Sequence, residues 1–357
     1  MELERKLAIV RAAMRGAGLK GVRLRTTAWF AWATCGGSNV VLLTSDSGVA
    51  EVLITESLAC VLTDEIEAAR LRHEELPPGL TIEACRWIDR PGAWDAAVKE
   101  RTEGGAVASD APAAGEVLLP KALSRAPLQP EELERYQRLG ADAAEAMTEV
   151  LQAARPEWTG YRLAGAGAEA LWGRGIEPAL TLVAGERRLP IYRHATANRD
   201  KLGARAMLVF CARRHGLFAN LTRFVYFRRP TKEEQTIDGA VAGVEADALD
   251  ALRPGATLGA LYDVLAASYA RHGHAGQERA HHQGGTCGYG SRDSIALPRS
   301  AVEIRPDEAV AFNPSLPGAK IEDTFVVREG GLQLLTVDRR WPARTVRGRP
   351  RPDLLVK

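Results

Sequence analysis

The sequence predicts an α+β protein built as two domains, and three observations carry that expectation. The chain has 357 residues, enough for two domains at about 100–200 residues each. Its helical stretches come in groups and its strand-like stretches mostly follow one another as hairpins, instead of alternating regularly. Residues 101–127 are rich in Gly, Ala, Pro and Ser and hold few apolar anchors, which puts a boundary there and gives domains over residues 1–125 and 126–357.

Taken in order, Leu3, Leu7, Val10 and Met14 fall at helical spacing and predict a helix over residues 2–14, ended by Gly16 and Gly18. The apolar runs 40–43 and 52–55 flank a turn-like Ser45-Asp46-Ser47-Gly48 and predict paired strands. A helix over 63–71 and a short strand over 105–109 complete the first half. Beyond the boundary a long helix begins at Pro130, where Glu131 and Glu132 favour the positive end of the helix dipole, and it stops before Pro156. A second helix covers 161–172. The apolar run 207–211 predicts a buried strand. Helices over 232–252 and 258–269 and strands over 309–312 and 324–327 finish the chain.

Composition excludes several function classes. Lys and Arg total 47 against 45 Asp and Glu, a formal net charge of +2, so no field steers the chain to nucleic acid or to an anionic membrane. The five cysteines are scattered with no C-x-x-C pair, which fits a reducing cytoplasm. The first residues mix charges into their apolar positions, and no window of about 18 apolar residues occurs, so neither an export signal nor a membrane span is expected. The densest aromatic cluster, residues 29–34, reads as core of the first domain.

Four separated stretches in the second half concentrate acids, bases and anion binders: residues 192–194 with His194, 216–223 with Asn220 and Arg223, 281–285 with His281 and His282, and 313–323 with Asn313 and Glu322. An imidazole with a pKa near 6.5 both takes and returns a proton at neutral pH, which makes His194 and His282 candidate acid–base residues. Arg292 offers a fork that pairs a carboxylate, either a substrate's or that of a nearby acid such as Asp293. If residues 281–282 are extended, their two imidazoles point to opposite sides and only one enters a pocket; the glycine spacing selects His282. Cys211 reads as a small hydrophobe in a strand, and Cys287 as a wall residue.

In this order the stretches resemble the pita-bread superfamily of creatinase, prolidase, aminopeptidase P and methionine aminopeptidase. The resemblance implies a creatinase-like N-terminal α/β domain followed by a C-terminal pita-bread domain. In the metallopeptidases of that family two Asp, one His and two Glu hold a pair of metal ions. The corresponding positions here are Val209, Asn220, His282, Asn313 and Glu322, so two of five are kept. One carboxylate and one imidazole cannot offset two cations, so the expectation is no dinuclear metal centre and no cofactor, with a single weakly held ion on His282 and Glu322 as the alternative.

The resemblance to creatinase implies metal-free hydrolysis of a C–N bond in a small amino-acid-derived molecule, with His194, His282 and Glu322 catalytic and Asn220, Arg223, Arg292 and Asn313 binding substrate. It further implies a homodimer, in which part of the aromatic cluster or Asn39 touches substrate. The alternatives are a metal-dependent Xaa-Pro peptidase, a non-hydrolytic biosynthetic enzyme, and a non-catalytic small-molecule binder.

Overall fold

The structure is a computed structural model that describes residues 1–357. Two compact units divide it, Met1–Arg125 and Ala126–Lys357.

In the first unit, helix α1 (Glu2–Gly16) buries Leu3, Val10 and Met14. Strands β1 (Gly21–Thr26), β2 (Ser47–Ile54), β3 (Ala59–Asp64), β4 (Thr81–Cys85), β5 (Val107–Ser109) and β6 (Val117–Leu118) form one mixed sheet in the order β4-β3-β2-β1-β5-β6. Helices α2 (Thr27–Ala33), α3 (Ala68–Arg70) and α4 (Gly92–Arg101) connect them. Phe30 and Trp32 of α2 are buried, as a core cluster requires.

Two expectations fail in this unit. Residues 40–43 form no strand, and Val41, Leu42 and Leu43 are exposed. Asn39 stands beside β2 in their place: its carbonyl accepts from Val49 N (2.9 Å) and its Nδ2 donates to Ala50 O (2.7 Å). Asn39 is thereby fully buried within its own unit. The helix expected over 63–71 starts only at Ala68 and runs on from α3 as a π-helical turn over Leu71–Glu75, because Thr63 and Asp64 finish β3, and the Asp64 carboxylate then caps a turn by accepting from Ile66 N (3.0 Å) and Glu67 N (3.3 Å).

In the second unit, α5 (Pro130–Ala153) and α6 (Gly160–Trp172) lie where the spacing predicts. Tyr136, Leu139, Ala143 and Met147 of α5 are all buried. Strands β7 (Glu177–Gly185), β8 (Arg205–Arg214) and β9 (Leu217–Tyr226) form an antiparallel sheet. Helices α7 (Lys232–Ala251) and α8 (Leu258–Arg271) follow. A second sheet has the order β11-β10-β12-β15-β16, built from β10 (Gly284–Cys287), β11 (Ser294–Ile295), β12 (Glu308–Phe312), β15 (Asp323–Arg328) and β16 (Gly331–Leu334). Hairpin β13 (Ser315–Leu316) and β14 (Ala319–Lys320) projects between β12 and β15. Hairpin β17 (Ala343–Val346) and β18 (Arg349–Pro352) precedes β19 (Leu355–Val356), which runs parallel to β9.

The helices cover the sheets by apolar burial, at about 1.5–3 kcal/mol for each large side chain. Leu258, Leu261 and Leu265 of α8 pack with Val310, Phe312, Phe325 and Val327 of the second sheet. Gly167 of α6 lets the helix sit on Phe210, whose ring would lie 2.8 Å from an added Cβ. The two sheets meet where Thr222 N donates to Glu322 O (3.0 Å) and Asn220 N donates to Thr324 Oγ1 (2.8 Å). This seam positions the site. No helix is long and apolar enough to cross a membrane.

Candidate active site

Strand alternation decides what the seam exposes. On β8, Val209 and Cys211 face the same side, and the register sets Thr222 opposite Val209 and Asn220 opposite Cys211. Val209 and Cys211 line a cavity of about 470 Å³, with Leu180 and Leu182 of β7 as apolar wall and His194, His282, Arg292, Asn313, Lys320 and Glu322 as its polar groups.

Glu322 is buried against this cavity and fully engaged. Its Oε1 accepts from Arg292 Nη2 (2.5 Å), and its Oε2 pairs with Lys320 Nζ (3.0 Å) and accepts from Thr222 Oγ1 (3.0 Å). Burial works to raise the Glu322 carboxyl, but Lys320 and then Arg292 outweigh it and hold the group at about 2. Burial opposes the Arg292 cation, and the charge of Glu322 nevertheless raises its pKa. Among the lining residues Glu322 is the one acid, against the two cations Arg292 and Lys320.

Residues 281–282 are not in a strand, so the two rings do not face opposite sides, yet of the pair only His282 lines the cavity. Both residues lie between a short 3-10 turn (Gln277–Ala280) and β10, outside the strand, so two-residue alternation does not govern them. Their rings stack with centroids 4.4 Å apart. His281 Nε2 stands 2.8 Å from His194 Nε2, and the His194 ring is 5.7 Å from that of His282. His194 itself sits in the irregular stretch between β7 and β8, two residues before the isolated bridge from Thr196 to Leu182. Burial, followed by the positive charge of Lys320, pushes His281 down to about 3; burial and then Arg292 push His282 down to about 4. Burial and then Lys320 also lower His194. All three imidazoles are therefore neutral at pH 7.

Asn220 and Asn313 bring two amides to the seam. Asn220 Nδ2 donates to Ser291 O (3.4 Å), while both Oδ1 atoms are buried without a hydrogen-bond partner. Burial drives Cys211 and Cys287 up to about 12, so neither supplies a thiolate.

Of the sequence-predicted site residues, His194, His282, Arg292, Asn313 and Glu322 line the cavity, and Asn220 lies buried at its seam. Arg223 does not join them. One position past Thr222, its guanidinium points to the other face, where Nη2 pairs with Asp323 Oδ1 (2.8 Å) and donates to Thr336 O (3.1 Å). The sequence reading missed Lys320 and the contacts of His281 with His282 and His194. Lys320 was within reach, because it stands two residues before Glu322 in an extended run and so shares its face.

A two-sheet unit with this cavity at its seam is of the pita-bread class. The chain belongs to metallopeptidase family M24, whose model matches residues 134–329, more than half of the chain. Among solved structures it is similar to dipeptidase PepE from Mycobacterium ulcerans, with a TM-score of 0.77, 20% identity and coverage of 99% of this chain and 98% of that one. It is likewise similar to an Xaa-Pro dipeptidase from Bacillus anthracis (TM-score 0.77, 17% identity, 99% and 100% covered) and to the prolidase of Pyrococcus horikoshii OT3 (TM-score 0.75, 16% identity, 94% and 99% covered). No curated protein matches the chain in sequence.

Proposed function

We propose that this chain is a hydrolase of C–N bonds in small, carboxylate-bearing amino-acid derivatives, and that it works without the dinuclear metal centre of its family. The observation that carries this reading is the state of Glu322. The one carboxylate in the cavity wall is already neutralised by Arg292 and Lys320 at 2.5 and 3.0 Å. Two divalent ions need several anionic donors, and Val209, Asn220 and Asn313 supply none. The donor set does not fit the pair of ions, and the surplus positive charge instead suits an anionic substrate group.

On this reading Arg292 and Lys320 hold the substrate carboxylate, while the amides of Asn220 and Asn313 orient its polar groups. His194 acts as the proton carrier. A water oxygen adds to the acyl or amidino carbon as its proton passes to His194 Nδ1, because Nε2 is engaged with His281 Nε2. The C–N bond then breaks, and the same proton goes to the leaving nitrogen. His281, hydrogen-bonded to His194, fixes its tautomer and shares the charge while His194 is protonated. The resemblance adds a homodimer in the cytoplasm to the proposal.

Turnover of N-acyl and amidino amino acids by the purified chain, with and without a strong chelator, tests the reading. Chelator-resistant hydrolysis is expected. A requirement for two equivalents of manganese or cobalt overturns it and favours a metal-dependent Xaa-Pro peptidase, the reading supported by the similarity to an Xaa-Pro dipeptidase and a prolidase and by the retained His282 and Glu322.

A further inference from the structure

We propose that His194, His281 and His282 form a mononuclear site for one borderline divalent cation of the Zn²⁺ class, displaced from the metal positions of the family. One nitrogen from each imidazole lies within 4.8 Å of the other two, and the Nε2 atoms of His194 and His281 are 2.8 Å apart. Tetrahedral zinc at about 2.0–2.1 Å from each nitrogen holds such atoms roughly 3.4 Å apart. The closest pair therefore opens slightly and the others close. Such an ion takes the place of the proton that His194 and His281 share.

Two further observations point to a ligand here. The Nδ1 atom of His282 is buried without a hydrogen-bond partner, an arrangement that costs free energy unless something binds. The donors are three neutral imidazoles with no carboxylate among them, a set that suits zinc, cobalt, nickel or copper over magnesium, calcium or manganese. His194 and His281 stand outside the five family positions, so only His282 is shared with the site that the resemblance implies. His194 is exposed and His194 and His282 line the cavity, which gives an ion a path in and an open fourth position. Lys320 and Arg292 weaken the hold on any cation and favour an anion, hydroxide or substrate carboxylate, as the fourth ligand.

Binding itself needs no assumption about turnover, whereas its effect on turnover rests on the function proposed above. With Nε2 on the ion, His194 carries its proton on Nδ1 and accepts no other, and zinc inhibits.

Titrating the full chain with Co²⁺, followed by visible d–d absorption, and with Zn²⁺ against a chromogenic chelator tests the site. One equivalent with four-coordinate cobalt bands is expected; His281→Gln weakens binding at least ~10-fold and Glu322→Gln changes it little. Should His281→Gln fail to fold, His194→Gln, at an exposed position, reads the same loss. Absence of cobalt bands, two equivalents bound, or equal loss in Glu322→Gln overturns the proposal. If one zinc binds as described yet raises turnover, the site stands and metal-free catalysis falls; if zinc does not bind and chelated protein turns over, the reverse holds.

Discussion

Glu322 and Asp323 are neighbours in sequence, both buried carboxylates, and each lies between two cations. Glu322 meets Arg292 and Lys320 at the cavity, whereas Asp323 meets Arg223 and Arg351 at 2.8 Å on the other face of the seam. Arg351 also pairs with Glu245 of α7 (2.5 Å), and Thr336 Oγ1 donates to Asp323 Oδ1 (2.5 Å), so this second cluster ties the sheet to a helix and to the C-terminal hairpin. Composition does not separate the two clusters. One residue of strand alternation does, turning the same chemistry into a brace on one side and a binding wall on the other.

The largest expected effect breaks the brace. Asp323→Ala leaves Arg223 and Arg351 buried without this counter-charge and is expected to cost about 3–5 kcal/mol in urea unfolding. Equal loss in Glu322→Gln, which keeps its side-chain volume and opens on the cavity, erases the distinction between the faces. On the cavity side, His194→Ala is expected to lower kcat by about 10²–10⁴ while the melting temperature stays near that of the parent. A fall in melting temperature without loss of turnover puts His194 with the structural cluster.

A smaller effect concerns pH. His281 and His282 titrate near 3 and 4 in the folded chain against about 6.5 when unfolded, so the unfolded chain binds more protons between these values and stability rises with pH there. Stability is therefore complete above about 6.5 and declines as pH falls toward 4. Lys320, Arg292, His194 and Glu322 are the charged and titratable groups acting on the pair. Thermal melts at pH 7 and 5 are expected to differ, and His281→Gln to narrow the gap; an unchanged gap removes His281 from the account. The smallest effect is that of Cys211→Ala, about 0.5 kcal/mol in unfolding with turnover kept, because the thiol lines the cavity without a charge.

Much of the second unit was legible because periodicity there agrees with packing. Leu139, Ala143 and Met147 mark one buried helix face, and the apolar run 207–211 is the middle of β8. Residues 40–43 have the same apolar character and form no strand, since pairing is settled by what already occupies the edge of β2, a competition between distant segments that a local window does not see. In the site, His194, His282, Arg292 and Glu322 were readable from motif order. Arg223 was misplaced for want of strand parity. Of the pair 281–282 only His282 lines the cavity, as the glycine spacing indicates, while the stacking of His281 on it escapes a parity argument because the two lie outside a strand. Lys320 was overlooked although parity with Glu322 marks it.

The glycine pair two residues after His282 also bears on how substrate range changes among related chains. A Cβ on Gly284 (φ +92°) would stand 2.1 Å from Ala311 O, and one on Gly285 would stand 2.0 Å from Ser294 O. These backbone contacts admit no side chain, so the segment carrying His281 and His282 tolerates almost no substitution there. The cavity lining also includes Ala179, Leu180, Leu182 and Thr196, whose side chains can vary in size without disturbing a charge. On the proposed function, a family of such chains can therefore diversify in the bulk of what it accepts while Arg292 and Lys320 keep the charge of the wall fixed, and a library that varies those four positions samples that diversity directly.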